Sequence, residues 1–558
     1  MSSKIMSAAR VLVLAVIGTL VGAGALLAQA TTRVSVDSQG GQGDAMSYGA
    51  AVSADGRFVA FLSAASNLVA GDTNGVTDVF VHDRQSGQTT RVSVDSAGGQ
   101  GDAASDYPEI SADGRLVAFT SDASNLVPGD TNGWPDAFVH DRQTGQTTRV
   151  SVSSSGEQAN AGSYNAIISA DGRLVAFTSD ASNLVPGDTN DYLDAFVHDR
   201  QTGMTTRVSV DSAGHQATLG GSACSLTADG RCVVFTSWSS DLVPGDEGNA
   251  DLFVHDRATG ETTRVTVSMT GGQANGIAWG GAVSADGRFV AYASDATNVV
   301  AGDTNGKQDI FVRDRERSEN IRVSEDSTGG QANGHSFACS ISADGRLVAF
   351  DSEASNLVSG DTNATLDVFV RDRQTGATLR VSLDSFGTEA NDRSEYPALS
   401  ADGSCAAFRS RATNLVDGDT NGTLDVFARD LRAAVWTNYG SGWPGANGVP
   451  DLAARSSPVL CTTLELFAGN SAGSSTAGVL FAGLSTANLK TSWGGRLFLL
   501  PALAVSVPLP AAGLSVFAAL PCDDSLAGLA LFAQLVELDA GASRGASFTP
   551  GIALVLGH

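Results

Sequence analysis

The sequence is poor in basic residues. Its 558 residues include 34 lysines and arginines against 60 aspartates and glutamates, so the formal net charge at pH 7 is −26. A surface with this charge repels the phosphate backbone of nucleic acids, and we therefore expect no nucleic-acid partner. The charge suits cations or a basic partner, although an acidic surface is also common in proteins simply because it keeps them soluble.

Cysteine is scarce too, with six residues in the chain. Four of them occupy two positions of an internal repeat, Cys224 with Cys339 and Cys232 with Cys405. Cys224 and Cys232 flank a tight turn, and strand alternation points them to opposite faces, so we expect no bridge between them. These four are interpreted as small buried residues, and Cys461 with Cys522 is the better candidate for a disulfide.

Long apolar runs are rare. The run Val11 to Leu27 follows two basic residues and precedes Ala28-Gln29-Ala30. This pattern predicts a signal peptide over residues 1–30 and a secreted, periplasmic or cell-envelope protein. An uncleaved anchor is the alternative, but the run is short and contains three glycines. Leu497 to Leu520 is apolar but interrupted by prolines, so we expect no membrane span after cleavage.

What the sequence does have is a repeat. A Ser-Ala-Asp-Gly or Thr-Ala-Asp-Gly signature begins at Ser53, Ser111, Ser169, Thr227, Ser284, Ser342 and Ser400. Successive signatures are 58, 58, 58, 57, 58 and 58 residues apart. So regular a period indicates that each unit is one supersecondary module packed on its neighbours.

Each unit contains four short strand-like runs. In the second unit these are Tyr107 to Ile110, Arg115 to Thr120, Asp136 to Asp141 and Thr147 to Val152. Apolar and β-branched residues alternate with period two, and no long helical pattern interrupts them. The fold class is therefore predicted to be all-β.

Four strands in each of seven units favour a β-propeller over a linear solenoid. The seventh unit ends at Asp430 without a fourth strand, and a matching strand stands at Thr31 to Val36. Pairing the two would close a ring and remove an open edge. We predict a seven-bladed propeller over residues 31–432, closed by its N-terminal strand.

The segment SADGRLVAFTS…DAFVHDRQTGQTTRVSV resembles the WD-like repeats of TolB-type propellers. The resemblance covers about residues 31–432 and implies a binding scaffold rather than a particular activity. This sequence differs in having Ala where those repeats have Pro in the turn, and in a longer loop between the second and third strands.

That long loop carries a candidate metal site. Intact Asp-x-Asn-Gly-x-x-Asp copies place their oxygen ligands at Asp72, Asn74 and Asp78; Asp130, Asn132 and Asp136; Asp303, Asn305 and Asp309; and Asp419, Asn421 and Asp425. Alternating oxygen ligands on a loop kinked by glycine suit a hard cation, so Ca²⁺ is the predicted cofactor. The alternative is that these side chains bond their own backbone and anchor the third strand.

Bulky departures from the repeat fall in this loop and in the connection from the fourth strand to the next blade. They are Trp134, Tyr192, His215, Trp238, Trp279 and His335. Both loop sets should share one face of a propeller, and exposed aromatic residues are candidates for ligand contact. We predict that Trp134, Tyr192, Trp238 and Trp279 form a ligand face for a protein or a glycan. Ordinary loop packing is the alternative.

No catalytic constellation is evident, so the protein is expected not to be an enzyme. His82, His140, His198 and His255 repeat in different units and cannot share one metal. Gly469 to Gly473 matches the Gly-x-Ser-x-Gly elbow but lacks a hydrolase domain around it. Arg393 and Glu395 near Tyr396 are polar breaks without a clear reaction. Two alternatives remain: a glycan- or peptide-processing enzyme using the central funnel, and a TolB-like envelope docking protein.

After Arg432 the composition changes to Gly, Ala, Leu and Ser. Residues 433–558 are predicted to form a small β-rich, sandwich-like domain that closes with Ile552 to Leu556. Surface sorting or partner docking is one possible role for this domain, and structural capping is an equally open alternative.

Overall fold

A computed structural model describes residues 31–431 apart from residue 386, together with residues 435–439, 444, 446–447, 449–450, 452–454, 463–483, 486–491, 496–499, 503–519, 530–539, 542 and 546–555. The predicted signal peptide and the predicted pair Cys461 and Cys522 lie outside the described residues. The described chain divides into two compact units, Thr31–Arg429 and a unit that contains the residues from Asp430 onward. Among the described residues, no helix is long and apolar enough to cross a membrane.

The first unit consists of seven four-stranded antiparallel sheets, which we call blades 1 to 7. Strand β1 (Thr31–Arg33) belongs to blade 7, described last. Blade 1 contains β2 (Ser47–Val52), β3 (Phe58–Ser63), β4 (Asp78–Asp83) and β5 (Gln88–Arg91). Blade 2 contains β6 (Ser105–Ile110), β7 (Leu116–Ser121), β8 (Asp136–Asp141) and β9 (Gln146–Arg149). Blade 3 contains β10 (Ser163–Ile168), β11 (Leu174–Ser179), β12 (Asp194–Asp199) and β13 (Met204–Arg207).

The remaining blades follow the same order. Blade 4 contains β14 (Ser222–Leu226), β15 (Cys232–Ser237), β16 (Asp251–Asp256) and β17 (Glu261–Arg264). Blade 5 contains β18 (Ala278–Val283), β19 (Phe289–Ser294), β20 (Asp309–Asp314) and β21 (Glu319–Arg322). Blade 6 contains β22 (Ser336–Ile341), β23 (Leu347–Ser352), β24 (Asp367–Asp372) and β25 (Thr378–Arg380). Blade 7 contains β26 (Ser394–Leu399), β27 (Cys405–Ser410), β28 (Asp425–Asp430) and β1.

Alternating apolar residues build the core of each blade. In blade 2, the rings of Phe119 and Phe138 stack across the second and third strands with their centroids 5.8 Å apart, and both are fully buried. The fourth strand is shorter than predicted, because it ends at Arg149 and Val152 forms only an isolated bridge with Gln158. The strand pattern therefore predicted the blades, with errors of a few residues at their ends.

The ring closes as predicted. Thr31, Thr32 and Arg33 pair with Arg429, Ala428 and Phe427, so β1 completes the sheet of β28. The Ala-Asp-Gly turns are also linked from blade to blade: the amide of Ala54 donates to Ala112, and the amide of Asp402 in blade 7 donates to Ala54. The all-β propeller fold is confirmed by these sheets and their closure.

The second unit is also built from strands. One sheet has the order β29 (Val435–Tyr439), β39 (Gly551–Val555), β37 (Ala530–Leu538), β32 (Thr476–Gly483) and β35 (Leu503–Leu509), with β38 (Ala546–Phe548) beside β37. A second contains β30 (Leu452–Ala454), β31 (Thr463–Ala468) and β36 (Leu514–Ala519), and a third pairs β33 (Thr486–Lys490) with β34 (Arg496–Leu499). Leu452 and Leu466 of one sheet share a buried cluster with Leu535 and Leu554 of another, which gives the predicted sandwich-like packing.

Candidate functional site

The two predicted loop sets do meet on one face of the propeller. In blade 2, the loop between the second and third strands bonds to the connection that leads to blade 3. Gln158 Nε2 donates to Asp130 Oδ1 over 3.1 Å, and Asn132 Nδ2 donates to the carbonyl of Ala159 over 3.0 Å. We call this surface the loop face.

The carboxylates of the Asp-x-Asn-Gly loop surround an arginine. In blade 2, Arg149 Nη1 lies 3.3 Å from Asp130 Oδ1 and 3.1 Å from Asp136 Oδ2. Asn132 turns its amide nitrogen toward Asp136 Oδ2, and Ser151 Oγ donates to Asp136 Oδ1 over 2.5 Å. Burial raises the pKa of both Asp130 and Asp136. The guanidinium therefore supplies the positive charge that this buried carboxylate pair needs.

The same arrangement recurs around the ring. The repeated arginines are only 7–11% exposed and lie within 4.0 Å of one or both loop carboxylates; they are Arg33, Arg91, Arg149, Arg207, Arg264, Arg322 and Arg380. Each of these arginines therefore pairs with the carboxylates of its own loop. The calcium prediction stays a prediction. A cation at this position would have to compete with the arginine already paired to these carboxylates.

Blade 6 departs from this pattern. Asp361, Asp367 and Glu389 bring carboxylate oxygens within 4.8 Å of one another, the one such group found among the described residues. Glu389 stands where blade 2 has Gln158, and it contacts Arg380, which also faces the two aspartates. The sequence signal for this cluster was available, because Glu389 is a carboxylate at a repeat position otherwise occupied by glutamine. Because the Arg380 guanidinium lies close to all three carboxylates, this cluster resembles the loops of the other blades with one additional negative charge.

Replacing Glu389 with Gln is expected to raise the melting temperature at pH 7 by about 1 to 2 °C. Burial, with the Asp367 and Glu389 carboxylates, raises the pKa of Asp361 to about 6. A raised carboxyl pKa favours the folded state at low pH, so the stability that Asp361 contributes is lost as the pH rises through 4 to 6. We expect this loss to outweigh the contribution of Glu389, whose contacts with Thr362 and Arg380 lower its own pKa. Glutamine can donate to Asp361 as Gln158 does to Asp130. The gain should therefore vanish near pH 4; a variant that melts lower than the wild type at pH 7 would contradict this account.

Three of the predicted aromatic residues are exposed on the loop face. Trp134 and Tyr192 occupy equivalent loop positions in blades 2 and 3, and Trp238 begins the loop of blade 4; their exposed fractions are 53%, 51% and 53%. Trp279 is exposed on β18, apart from these loops. The two histidines have local partners instead: His215 Nδ1 bonds to Asp211, and His335 accepts the amide of Gln308.

Tyr192 and Trp238 belong to a larger apolar surface, which also contains Leu193 and Leu219 and which we call the blade 3–4 patch. The amide of Gly221 donates to the carbonyl of Leu193, and the amide of Leu219 donates to Ser239 Oγ, next to Trp238, each over 2.7 Å. All four members of the patch are exposed. The leucines were missed in the sequence because a single leucine in a loop carries no signal.

The centre of the ring encloses a channel, which is the central funnel expected for a propeller, but the residues that line it were not predicted. Every innermost strand has a register shift, or β-bulge, between its ends. The bulges surround a cavity of about 630 Å³, lined mainly by small residues such as Gly49, Ala50, Gly281 and Ser340. This volume is in the range of small-molecule sites.

Two tyrosines line the channel in an unusual backbone conformation. Tyr107 and Tyr396 have φ values of +52° and +54°, and both are exposed to the channel. Gly49 and Gly280 adopt the same conformation in blades 1 and 5. A bulky residue in this region costs about 1–3 kcal/mol, so such outliers point to a role beyond the bend itself.

The polar breaks beside Tyr396 form an ion-pair cluster. Glu395 is buried and lies 3.3 Å from Arg409 and 3.5 Å from Arg393. The Arg409 guanidinium carbon lies 4.1 Å from the centre of the Tyr396 ring. Asp351 accepts the amide of Tyr396 over 2.8 Å, and burial raises its pKa to about 6. These contacts hold Tyr396 in place.

The remaining chemical candidates are engaged in structural contacts. His140 Nδ1 bonds to Thr147 Oγ1 within its own blade over 2.9 Å, and burial lowers its pKa; the other three repeated histidines do the same. Ser471 of the elbow-like segment is buried and donates to the buried Glu537 carboxylate. Of the cysteines, Cys232 and Cys405 are buried as expected, whereas Cys224 and Cys339 are half-buried in the channel wall.

No protein-family model matches the chain, and no curated protein matches it. Solved structures do. TolB from Agrobacterium tumefaciens is 15% identical, covers 62% of this chain and 94% of its own, and has a TM-score of 0.35. The WD40 repeats of RRP9 are 10% identical over 73% and 99%, with a TM-score of 0.37. The extracellular domain of a hybrid two-component system from B. thetaiotaomicron is 10% identical over 96% and 59%, with a TM-score of 0.38. The seven four-stranded sheets and their closure make the first unit a β-propeller, the fold that the TolB-like and WD-like repeats predicted, and a further β unit follows it.

Proposed function

We propose that this protein is a secreted, non-enzymatic binding propeller that holds a basic, partly apolar protein segment against its loop face. The observation that carries the proposal is the blade 3–4 patch. Large aromatic side chains exposed together are typical of protein interfaces, where they supply most of the binding energy.

The charge around the patch defines the partner. Asp191 adjoins Tyr192 in the loop of blade 3 and is exposed, and Asp241 accepts the backbone amide of Thr218, next to Leu219. With a formal charge of −26 on the whole chain, a basic segment is attracted and an acidic one repelled. The predicted signal peptide supports an extracytoplasmic location, and the structural engagement of the histidines and Ser471 supports a role without catalysis.

The test is a peptide array and a glycan array, both probed with the full chain. The peptides on the array form a series from neutral to arginine-rich sequences, and each is present in one version with tryptophan and one without. The variant Tyr192→Thr with Trp238→Ala introduces residues that other blades have at these positions, Thr365 and Ala64, so it should fold normally. We expect it to lose at least about tenfold of the affinity for basic, aromatic peptides.

A matched control is Met204→Ser, which removes an equally exposed apolar residue at the other end of blade 3. It should bind as the wild type does. Binding to glycans alone, or equal peptide binding by the double variant, would refute the proposed partner.

A further inference from the structure

The central channel contains one acid and no base. Among the described residues that line it, Glu109 is the sole carboxylate, and no lysine, arginine or histidine is present. The described residues form no hydrogen bond or ion pair with this carboxylate, in contrast to Asp351 and Glu395 nearby. An ionised carboxylate enclosed by protein is unfavourable unless a positive charge approaches it.

Enclosure also affects the proton equilibrium of this group. The Glu109 side chain touches the water of the channel, but the surrounding ring of strands raises its pKa to about 7. A cation in the channel would favour the ionised form. The negative potential of an acidic protein is focused in such a channel, which further favours positive ligands.

The tyrosines complete the site. Tyr396 and Tyr107 line the same cavity from blades 7 and 2, and blade 1 between them contributes only Gly49 and Ala50 there. Because glycine makes the same bend without strain, the rings are not required by the backbone. The strained conformation of the two tyrosines indicates a use for their ring faces, which attract organic cations, as the Arg409 guanidinium 4.1 Å from the centre of the Tyr396 ring illustrates.

We propose that the central channel binds an organic cation, an ammonium or guanidinium group, through the Glu109 carboxylate and the rings of Tyr107 and Tyr396. A metal ion does not suit the cavity, because hard cations require several oxygen ligands whereas only one carboxylate lines the cavity among the described residues. An anion does not suit the cavity either, because no basic side chain lines it among the described residues. This site is separate from the loop face and does not depend on the function proposed there.

The experiment is calorimetric titration of the full chain with three probes: choline, its neutral isostere 3,3-dimethyl-1-butanol, and the peptide N-acetyl-glycyl-lysine amide. We expect saturable binding of a cationic probe and at least about tenfold weaker binding of the neutral alcohol. Tighter binding of choline would identify a free small molecule as the source of the cation. Tighter binding of the peptide would identify a side chain of a macromolecule.

Variants locate the site. Glu109→Gln should weaken cation binding by at least about tenfold, and Tyr107→Gly and Tyr396→Gly should weaken it while folding normally, since glycine is the residue of blades 1 and 5. Glu261→Gln, on an exposed outer strand, is the charge-matched control and should bind as the wild type does. The proposal is overturned if no cation binds at millimolar concentration, if the alcohol binds equally, or if Glu109→Gln and Glu261→Gln behave alike.

Discussion

A chain that begins at Asp37 is expected to lose cooperative folding of its propeller. Removal of residues 31–36 deletes β1, which pairs with β28, and the completely buried Val34 that follows β1. It also removes the Ser35 hydroxyl, which donates to the buried Asp425 over 2.6 Å. The loss of a whole strand should exceed about 5 kcal/mol, comparable to the net stability of many domains. Thermal unfolding followed by circular dichroism measures the effect.

The control is a chain that begins at Thr31, which should melt cooperatively. A synthetic peptide of sequence Thr-Thr-Arg-Val-Ser-Val should restore part of the lost stability when added in excess, because it can occupy the open edge of β28. Equal melting temperatures for the two chains would show that the ring does not depend on its closing strand.

Replacing Asp136 with Ala is expected to destabilise the propeller by about 3 to 5 kcal/mol. The substitution leaves the nearly buried Arg149 without its closest carboxylate and Ser151 without its acceptor. Chemical denaturation of the variant measures the loss. Asp102→Ala is the control: that exposed aspartate only bonds Ser124, and its removal should cost about 1 kcal/mol.

The same measurement separates the structural role of Asp136 from the predicted role in calcium binding. If Arg149 is the main partner, the loss is the same with added calcium and with chelator, and the wild type melts at one temperature in both. If calcium stabilises the loop, the wild type melts lower in chelator, because a ligand of the native state must stabilise it. The second result would support the calcium prediction at the expense of the arginine account.

Much of the fold could be predicted because each blade repeats the same local signals. Period-two patterning defines the strands around Phe119 and Phe138, and Asp113-Gly114 defines the turn between the first two strands. The missing strand after Asp430 predicted the closure. Strand ends were less predictable, since Val150 to Val152 has strand composition but leaves the ladder after Arg149.

The site was harder to predict because its contacts join distant residues. The sequence shows Asp130 and Asp136 as candidate oxygen ligands. Their contact with Arg149 could not be predicted, because it forms only when the fourth strand packs against the third. Tyr107 and Glu109 look like ordinary substitutions in an edge strand. Their side chains line the channel because the strand has a bulge and because Tyr107 has a positive φ. Neither feature can be recognised from the sequence when the residue is a tyrosine.

The pairing of Thr31 with Arg429 has a mechanical consequence. The polypeptide enters the ring at Thr31 and leaves it at Arg429, and these two residues are neighbours in the same sheet. A pulling force applied between the N-terminal side and the C-terminal unit would act on the β1–β28 ladder from its open end. In that geometry the hydrogen bonds carry the load one after another, as in a zipper, rather than together in shear. The ring would therefore open at its seam under low tension, while the other six blades bear no load until that seam has parted.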